Sequence, residues 1–212
     1  MSADYGIRDE YASRYLLLVD TASALQTYLK ELTEGLLRID SIVARAKDPD
    51  RYFVKANKSD NEGNQKYKVP KYEIQDQIGA RINVFYISDI KKVRDHIIKF
   101  MRFIEEVPKY PLKDDAFGYV GHHFIFQTPD DIIPDEHKDS IPEFFELQIK
   151  TLFQHAWSET NHDIGYKAMR ELTSDERRQL AFTAAQAWGA DKIFEELSQA
   201  FISNDNDPIA SE

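Results

Sequence analysis

The chain has 212 residues, a formal net charge of −10 and no cysteine, so neither a disulfide nor a zinc–thiolate site can form. Its hydrophobic fraction of 42% is enough for a buried core. No apolar run is long enough to cross a membrane, and the charged N-terminus does not have the pattern of a signal peptide. The net charge of −10 argues against a general nucleic-acid binder, although it leaves room for a local basic pocket. We therefore expect a cytoplasmic protein without membrane or DNA partners.

Apolar residues alternate between helical and strand-like spacing along the chain, and turn residues separate the segments. In chain order these patterns predict a helix over 8–37, a strand over 41–46, a helix with Pro49 in its first turn, a loop over 59–71, a strand over 80–87, a helix capped by Ser88 up to about 103, a strand over 120–127, a proline-rich connection over 128–143, a strand over 144–149, a helix over 151–162 and a last helix over 173–201. The sum is an α+β fold in which helices flank a mixed sheet of about five strands.

The stretch FFELQIKTLFQHAWSETNHDIGYK, residues 144–167, passes from a strand pattern to a helix pattern. Alternation along the strand places Glu146 on the face opposite its apolar residues. In the helix, His155, Glu159 and His162 recur at i, i+4 and i+7 and share one face. These side chains fit a hydrogen-bonded structural face, an acid–base site or a metal site, although the HExxH spacing of many zinc sites is absent. Apolar residues of the same helix are expected to anchor it to the sheet: Leu152, Phe153, Ala156 and Trp157.

A second carboxylate occupies a similar place earlier in the chain. Asp76 lies shortly before the strand predicted at residues 80–87. Two carboxylates at strand edges suit Mg²⁺-dependent phosphoryl chemistry, because carboxylate oxygens bind the hard cation while arginines and lysines bind phosphate oxygens. The alternative for Asp76 is that it caps a turn. Lys66, Lys68 and Lys71 in the polar loop fit either solvated side chains or phosphate contacts.

Five short motifs, in this order, resemble those of the RelA/SpoT synthetase domain. They are RAKDPDRYFVK at 45–55, DQIGAR at 76–81, FGYVGHH at 117–123, ELQIKT at 146–151 and HAWSETNHDIGYK at 155–167. Each motif alone is weak, but the order and spacing match those of the small alarmone synthetases. The resemblance covers about residues 40–170 and gives an N-terminal helical segment at 1–39, a synthetase core at 40–170, a C-terminal helix packed on the core at 171–203, and an acidic tail at 204–212.

The resemblance implies a nucleotidyltransferase-like fold and a pyrophosphokinase. Such an enzyme transfers the β,γ-pyrophosphate of ATP to the ribose 3′-hydroxyl of GDP or GTP, which makes the stringent-response alarmone (p)ppGpp. The roles implied by position are Mg²⁺ binding by Asp76 and Glu146, with Glu146 also helping to deprotonate the hydroxyl; adenine stacking by Arg45 and Arg81; phosphate binding by Lys47 and Lys55; acceptor binding by Tyr119 and His123; and support beneath the nucleotides by Gln148, His155, Glu159 and His162.

The acceptor stays open, because Val120 stands where the family's motif often has arginine. GDP, GTP, GMP, adenosine nucleotides and the tRNA 3′ end are all acceptors that the resemblance allows. One alternative function is therefore a toxic synthetase acting on adenosine nucleotides or tRNA. Another is a catalytically inactive module that binds a nucleotide or a protein. A homo-oligomer and an antitoxin protein are the further partners that the resemblance leaves open.

Overall fold

A five-stranded sheet forms the centre of the computed structural model, which describes residues 2–109, 116–118, 121–167 and 170–201, with only the backbone described at 2–5, 108–109 and 165–167. The strands are β1 (Ile39–Ala46), β2 (Ile78–Val84), β3 (Phe103–Lys109), β4 (Gly121–Gln127) and β5 (Phe144–Thr151). The helices are α1 (Ser2–Leu32), α2 (Pro49–Ala56), α3 (Pro70–Glu73), α4 (Ile87–Ile97), α5 (Leu152–Lys167) and α6 (Ser174–Phe201), with 3₁₀ turns at Gln75–Gln77, Asp130–Ile132 and Asp135–Ser140.

The strand order β1-β2-β5-β4-β3 places one parallel pair at the centre of the sheet. β2 and β5 run parallel, with Gly79 opposite Glu146 and Arg81 opposite Gln148, while the other three pairs are antiparallel. The predicted α+β class with a mixed sheet is therefore confirmed. Because side chains alternate along a strand, this register puts four polar or small positions of β2 and β5 on one face.

The opposite face of the sheet carries the hydrophobic core. The alternating residues Phe145, Leu147 and Ile149 of β5 are all fully buried, as the strand pattern predicts. α1 covers the sheet with a helical stripe of buried side chains: Leu18, Ala22, Leu25 and Leu29. α1 ends at Leu32, before the predicted end near Leu37, and Gly35 with a φ of 84° turns the chain toward β1.

The helix predicted from Ser88 to residue 103 is wrong at both ends. The N-cap of α4 is Tyr86, whose backbone N–H donates to the Asp89 carboxylate at 3.3 Å. The helix ends at Ile97, and the chain forms β3 from Phe103, a strand that the sequence reading missed. Pairing with β4 explains the difference, since the Phe103 ring packs edge-on against Phe126 with centroids 5.7 Å apart.

The C-terminal helices pack on each other. The predicted capping box that opens α6 is present, with Thr173 N–H donating to Glu176 Oε2 at 2.8 Å. The prediction that α5 is anchored to the sheet by its apolar residues is wrong, because Leu152 and Ala156 are exposed. Phe153 instead stacks on Phe194 of α6 with centroids 5.6 Å apart, and Trp157 Nε1–H donates to Thr183 of α6. α6 thus supplies the apolar surface that the sequence reading assigned to the sheet.

Candidate active site

A cleft of about 520 Å³ lies on the polar face of the sheet, between α1, β1, β2 and β5. It is lined mostly by charged and polar residues: Tyr15, Val43, Arg45, Ala46, Lys47, Asp48, Arg51, Asp76, Gly79, Ala80, Arg81, Glu146 and Gln148. The strand register explains why Val43, Arg45, Gly79, Arg81, Glu146 and Gln148 belong to this set, because β1, β2 and β5 present these alternate residues to the same side. Arginines and lysines beside two carboxylates suit a ligand that carries phosphate and a metal ion.

Asp76 sits in the 3₁₀ turn that leads into β2, and lysines from two other elements surround its carboxylate. Lys47 Nζ, just after β1, lies 2.9 Å from Oδ2, and Lys55 Nζ, in the last turn of α2, lies 2.9 Å from Oδ1. The Lys55 contact is a close ion pair without the alignment of a hydrogen bond. The alternative that Asp76 caps a turn has no support in these contacts, because both of its carboxylate oxygens face ammonium groups.

Glu146 lies on β5 at the floor of the cleft, where His123 and Gln148 hold it. His123 Nδ1 is 3.2 Å from Glu146 Oε2, and Gln148 Nε2 donates to Oε1 at 2.6 Å. Burial alone would raise the pKa of Glu146, but the contacts with His123 and Gln148 and the charge of Lys55 outweigh it and lower the pKa to about 2. Glu146 is therefore an anion at neutral pH, with oxygens directed at the cleft.

Two guanidinium groups line the cleft beside these carboxylates. Arg45 on β1 and Arg81 on β2 occupy the same polar face, and the sheet places Val43 opposite Arg81. Arg81 Nη1 donates to Glu159 of α5 at 2.8 Å, which holds the guanidinium at the rim. A fixed guanidinium plane beside an exposed valine is a surface on which an aromatic base can stack.

Behind the arginines, β5 and α5 bring further basic groups together. Lys150 is buried, and its Nζ lies 3.3 Å from Ser158 of α5. Burial, with the nearby charge of Arg81, lowers the pKa of Lys150 to about 8. Burial and Arg81 also lower the pKa of His155, which lies 3.9 Å from Glu159. Arg81, Lys150 and His155 thus lie close enough for their positive charges to repel one another, and an anionic ligand nearby would offset that repulsion.

α1 supports the site from the side. The Tyr11 hydroxyl donates to the carbonyl of Lys47 at 2.7 Å, which anchors the backbone of that lysine. Arg14 donates to the fully buried Gln77 at 2.5 Å, and the Gln77 amide donates to the carbonyls of Lys71 and Ile74. These bonds close the turn that carries Asp76. The sequence reading missed both α1 residues, because their partners are distant in the chain.

The structure brings most of the predicted site residues to one place. Arg45, Lys47, Asp76, Arg81, Glu146 and Gln148 line the cleft, while Lys55, His123, Glu159 and His155 adjoin it through the contacts above. Their predicted roles toward ligands stay predictions. His162 is exposed further along α5 and does not line the cleft formed by the described residues. Tyr119 lies outside the described residues.

The cleft also contains residues that the sequence reading did not assign: Tyr15, Val43, Asp48 and Arg51. Asp48 accepts backbone N–H bonds at the start of α2, so the Asp-Pro pair that predicts this helix could also have pointed to it. Tyr15 reaches the cleft from α1 across a long sequence separation. No local sequence signal distinguishes Tyr15 from the other tyrosines of α1.

The carboxylates fit a magnesium ion that is shared with a substrate. No group of three or more His, Cys, Asp or Glu side chains able to hold a metal occurs within the described part of the chain. Mg²⁺ is commonly held by one or two carboxylates together with phosphate oxygens, so it needs no such cage. Asp76 and Glu146 line one cleft, and Asp76 Oδ1 is buried without an aligned hydrogen-bond donor. Oxygen donors of this kind suit a hard cation.

A sequence model described as a region found in RelA/SpoT proteins matches residues 44–171 of the chain. The chain belongs to the RelA/SpoT family. The matched RelA/SpoT region contains all of the predicted site residues and begins after α1, so Tyr11, Arg14 and Tyr15 lie outside it. The resemblance read from the five motifs is therefore confirmed. A comparison with curated proteins finds no match.

Solved structures show the same fold. A GTP pyrophosphokinase family protein from Streptococcus pneumoniae is 22% identical, with a TM-score of 0.71 over 91% of this chain and 93% of that chain. Small alarmone synthetase 1 from Bacillus subtilis is 20% identical, with a TM-score of 0.69 over 86% and 93%. Small alarmone synthetase 2 from Bacillus subtilis is 21% identical, with a TM-score of 0.71 over 90% and 99%. Among the described residues, this RelA/SpoT protein has no helix long and apolar enough to span a membrane.

Proposed function

We propose that the protein is a Mg²⁺-dependent pyrophosphokinase that makes (p)ppGpp from ATP and GDP or GTP. Membership of the RelA/SpoT family supports this class of transferase. The observation that carries the proposal is the cleft in which Asp76 and Glu146 lie among Arg45, Lys47 and Arg81. Bacillus subtilis small alarmone synthetase 1 has been solved with its product pppGpp and with AMPCPP, and these ligands supply the substrate classes for the proposal.

In the proposed reaction, the acceptor 3′-oxygen forms a bond to the β-phosphorus of ATP. The bond between that phosphorus and the oxygen bridging to the α-phosphate breaks, AMP leaves, and the hydroxyl proton is released. Catalysis then needs alignment and neutralisation of phosphate charge more than covalent chemistry by the protein. Lys47 and Lys55, which approach Asp76 from two elements, would hold the phosphates of ATP.

Asp76 and Glu146 would hold Mg²⁺, which when bound neutralises phosphate oxygens. The low pKa of Glu146 makes its carboxylate a weak proton acceptor, since general bases work best with a pKa near the working pH. We therefore assign Glu146 mainly to the metal and less to removal of the hydroxyl proton. His123, 3.2 Å from Glu146, would contact the phosphate or ribose of the acceptor nucleotide.

The adenine of ATP and the nucleobase of the acceptor would bind on either side of the two carboxylates. Arg45 and Arg81 offer guanidinium planes for adenine, and stacking of a cation on an aromatic face contributes about 0.5–2 kcal/mol. Tyr119 would stack on the acceptor base, a contact that raises affinity without selecting the base. Selection of GDP, GTP or another acceptor must then come from hydrogen bonds to the base edge and from cations near the 5′ phosphates.

Incubation with radiolabelled ATP and Mg²⁺ tests the proposal. GDP, GTP, GMP, ADP and tRNA are offered separately, and the products are resolved by chromatography. We expect pyrophosphate transfer to GDP or GTP, with a loss of at least about a hundred- to a thousandfold in the Asp76→Asn and Glu146→Gln variants, the scale expected when a main charge-stabilising contact is removed. Their thermal melting should stay cooperative. Transfer only to ADP or tRNA would replace the proposed acceptor, and nucleotide binding without any transfer would favour an inactive module.

A further inference from the structure

The carboxylate of Asp76 is held by two ammonium groups, one on each oxygen. Lys47 Nζ and Lys55 Nζ both lie 2.9 Å from it, and the three side chains are 20%, 27% and 18% exposed for Lys47, Lys55 and Asp76. Ion pairs with so little solvent around them are only weakly screened. In the absence of ligands, the main candidate metal ligand is therefore already neutralised by protein cations.

A metal ion cannot simply join this arrangement. Magnesium binds carboxylate oxygens at about 2.0–2.1 Å, so an ion on either oxygen of Asp76 would lie within about 5 Å of the lysine that contacts the same oxygen. Three cationic groups would then share one carboxylate. An ion that arrives alone must displace at least one ammonium group into a cleft that already contains Arg45 and Arg81.

We propose that Lys47 and Lys55 act as exchangeable counter-ions, which hold Asp76 in the free protein and move to the phosphates when nucleotide binds. The inference deepens the proposed function and rests on it for the identity of the nucleotide. The polyphosphate takes over both ammonium groups, and the vacated Asp76 oxygens become available to the metal. Metal and nucleotide consequently bind as a coupled pair, because the nucleotide draws away the lysines that contact Asp76 in the free protein.

The backbone around these lysines permits the exchange without refolding. The Lys47 N–H donates to the Gln77 carbonyl at 2.8 Å, and its carbonyl accepts from Tyr11 at 2.7 Å. Lys55 lies in the last turn of α2, within a regular helix. Only the flexible four-carbon stems need to move, and lysine is suited to this because its ammonium group is a compact point charge.

Coupling of this kind is reciprocal. If nucleotide raises the affinity for the metal by some factor, the metal raises the affinity for nucleotide by the same factor. Removal of one lysine should therefore affect the two ligands in opposite directions. Metal alone should bind more tightly, because Asp76 loses a competitor, while nucleotide should bind less tightly, because its phosphates lose a contact.

The test titrates Mn²⁺ alone, as a spectroscopic probe of the metal site, into nucleotide-free protein. We expect weak binding to wild type and binding at least about tenfold tighter to Lys55→Met and Lys47→Met. Lys58→Met is the matched control, because Lys58 is exposed close to Lys55 and does not line the cleft. It should match wild type. Asp76→Asn should abolish the tightened binding in a Lys55→Met background, which locates the ion at Asp76.

A second titration repeats the measurement with a non-hydrolysable ATP analogue, at matched concentrations of free Mn²⁺. The analogue should strengthen Mn²⁺ binding to wild type by at least about tenfold, and by clearly less to Lys55→Met. Mn²⁺ affinity without nucleotide that is unchanged in both lysine variants would overturn the inference. Neither titration requires turnover, so a failure of pyrophosphate transfer would contradict the proposed function while leaving this result readable.

Discussion

Replacement of Arg14 by methionine should both destabilise the protein and loosen the turn that carries Asp76. Arg14 is 6% exposed and donates to Glu10, to the Ser140 carbonyl and to the fully buried Gln77. Methionine fills similar space but leaves the buried Gln77 oxygen without its Arg14 donor, at about 1–3 kcal/mol, and removes the part-buried bonds to Glu10 and Ser140, at about 0.5–1.5 kcal/mol each. We expect a loss of about 3–4 kcal/mol, which lowers Tm by about 6–16 °C for a chain of this size.

Thermal melting followed by circular dichroism measures the loss of stability. Titration with nucleotide shows whether loosening of the turn also weakens nucleotide binding. Arg8→Met is the matched control, because Arg8 also lies in α1 but pairs with Asp50 at an exposed position. Exposed ion pairs contribute about 0–1 kcal/mol, so this variant should melt within about 3 °C of wild type. An Arg14→Met protein that melts like Arg8→Met would show that the Gln77 contact does not stabilise the turn.

Two further predictions concern the helices that frame the site. Burial raises the pKa of Asp191 to about 6, although Thr151 donates to it at 2.8 Å, so the folded state binds a proton more tightly than the unfolded state. The contribution of Asp191 to stability should therefore increase as the pH falls from about 8 through 6 toward 4, whereas the lowered pKa of Glu146 acts in the opposite direction below about pH 5. In urea unfolding, Asp191→Asn should remove up to about 3 kcal/mol of the Asp191 contribution relative to wild type; an identical pH slope in both proteins would exclude Asp191 as its source. Glu159→Gln should weaken the hold on Arg81 and raise the KM for ATP by about 2–5-fold, corresponding to roughly 0.5–1 kcal/mol for a half-exposed ion pair, while kcat stays near wild type. A fall in kcat with unchanged KM would mean that Glu159 acts elsewhere.

The strand and motif patterns predicted much of the site because the positions of its residues follow from their own segment of sequence. Alternation along β5 places Glu146 and Gln148 opposite the buried apolar residues, and this needs no knowledge of neighbouring strands. The motif order then placed Asp76 in the same site, which spacing alone could not do. The parallel register between β2 and β5 supplies the missing geometry.

Other features depend on contacts that a local pattern does not contain. The sequence pattern predicts the end of a helix at residues 98–103, but α4 ends at Ile97 and pairing with β4 makes Phe103–Lys109 a strand. The apolar residues of α5 have the spacing of a sheet-facing helix, but Phe153 meets Phe194 of α6. Arg14 reads as an ordinary surface arginine of α1, and only the fold brings it to Gln77. In each case the partner is far away in sequence.

The pairing of β2 with β5 also determines when the cleft forms during folding. β2 and β5 are joined by a long segment that includes α4, β3 and β4, so their pairing closes a large loop, and contacts between residues so distant in the chain form slowly. Asp76 and Glu146 meet in one cleft only through that closure. A nascent chain that has not yet released Phe144–Thr151 from the ribosome therefore cannot assemble the site, and on refolding the recovery of ligand binding should lag behind the recovery of helix content.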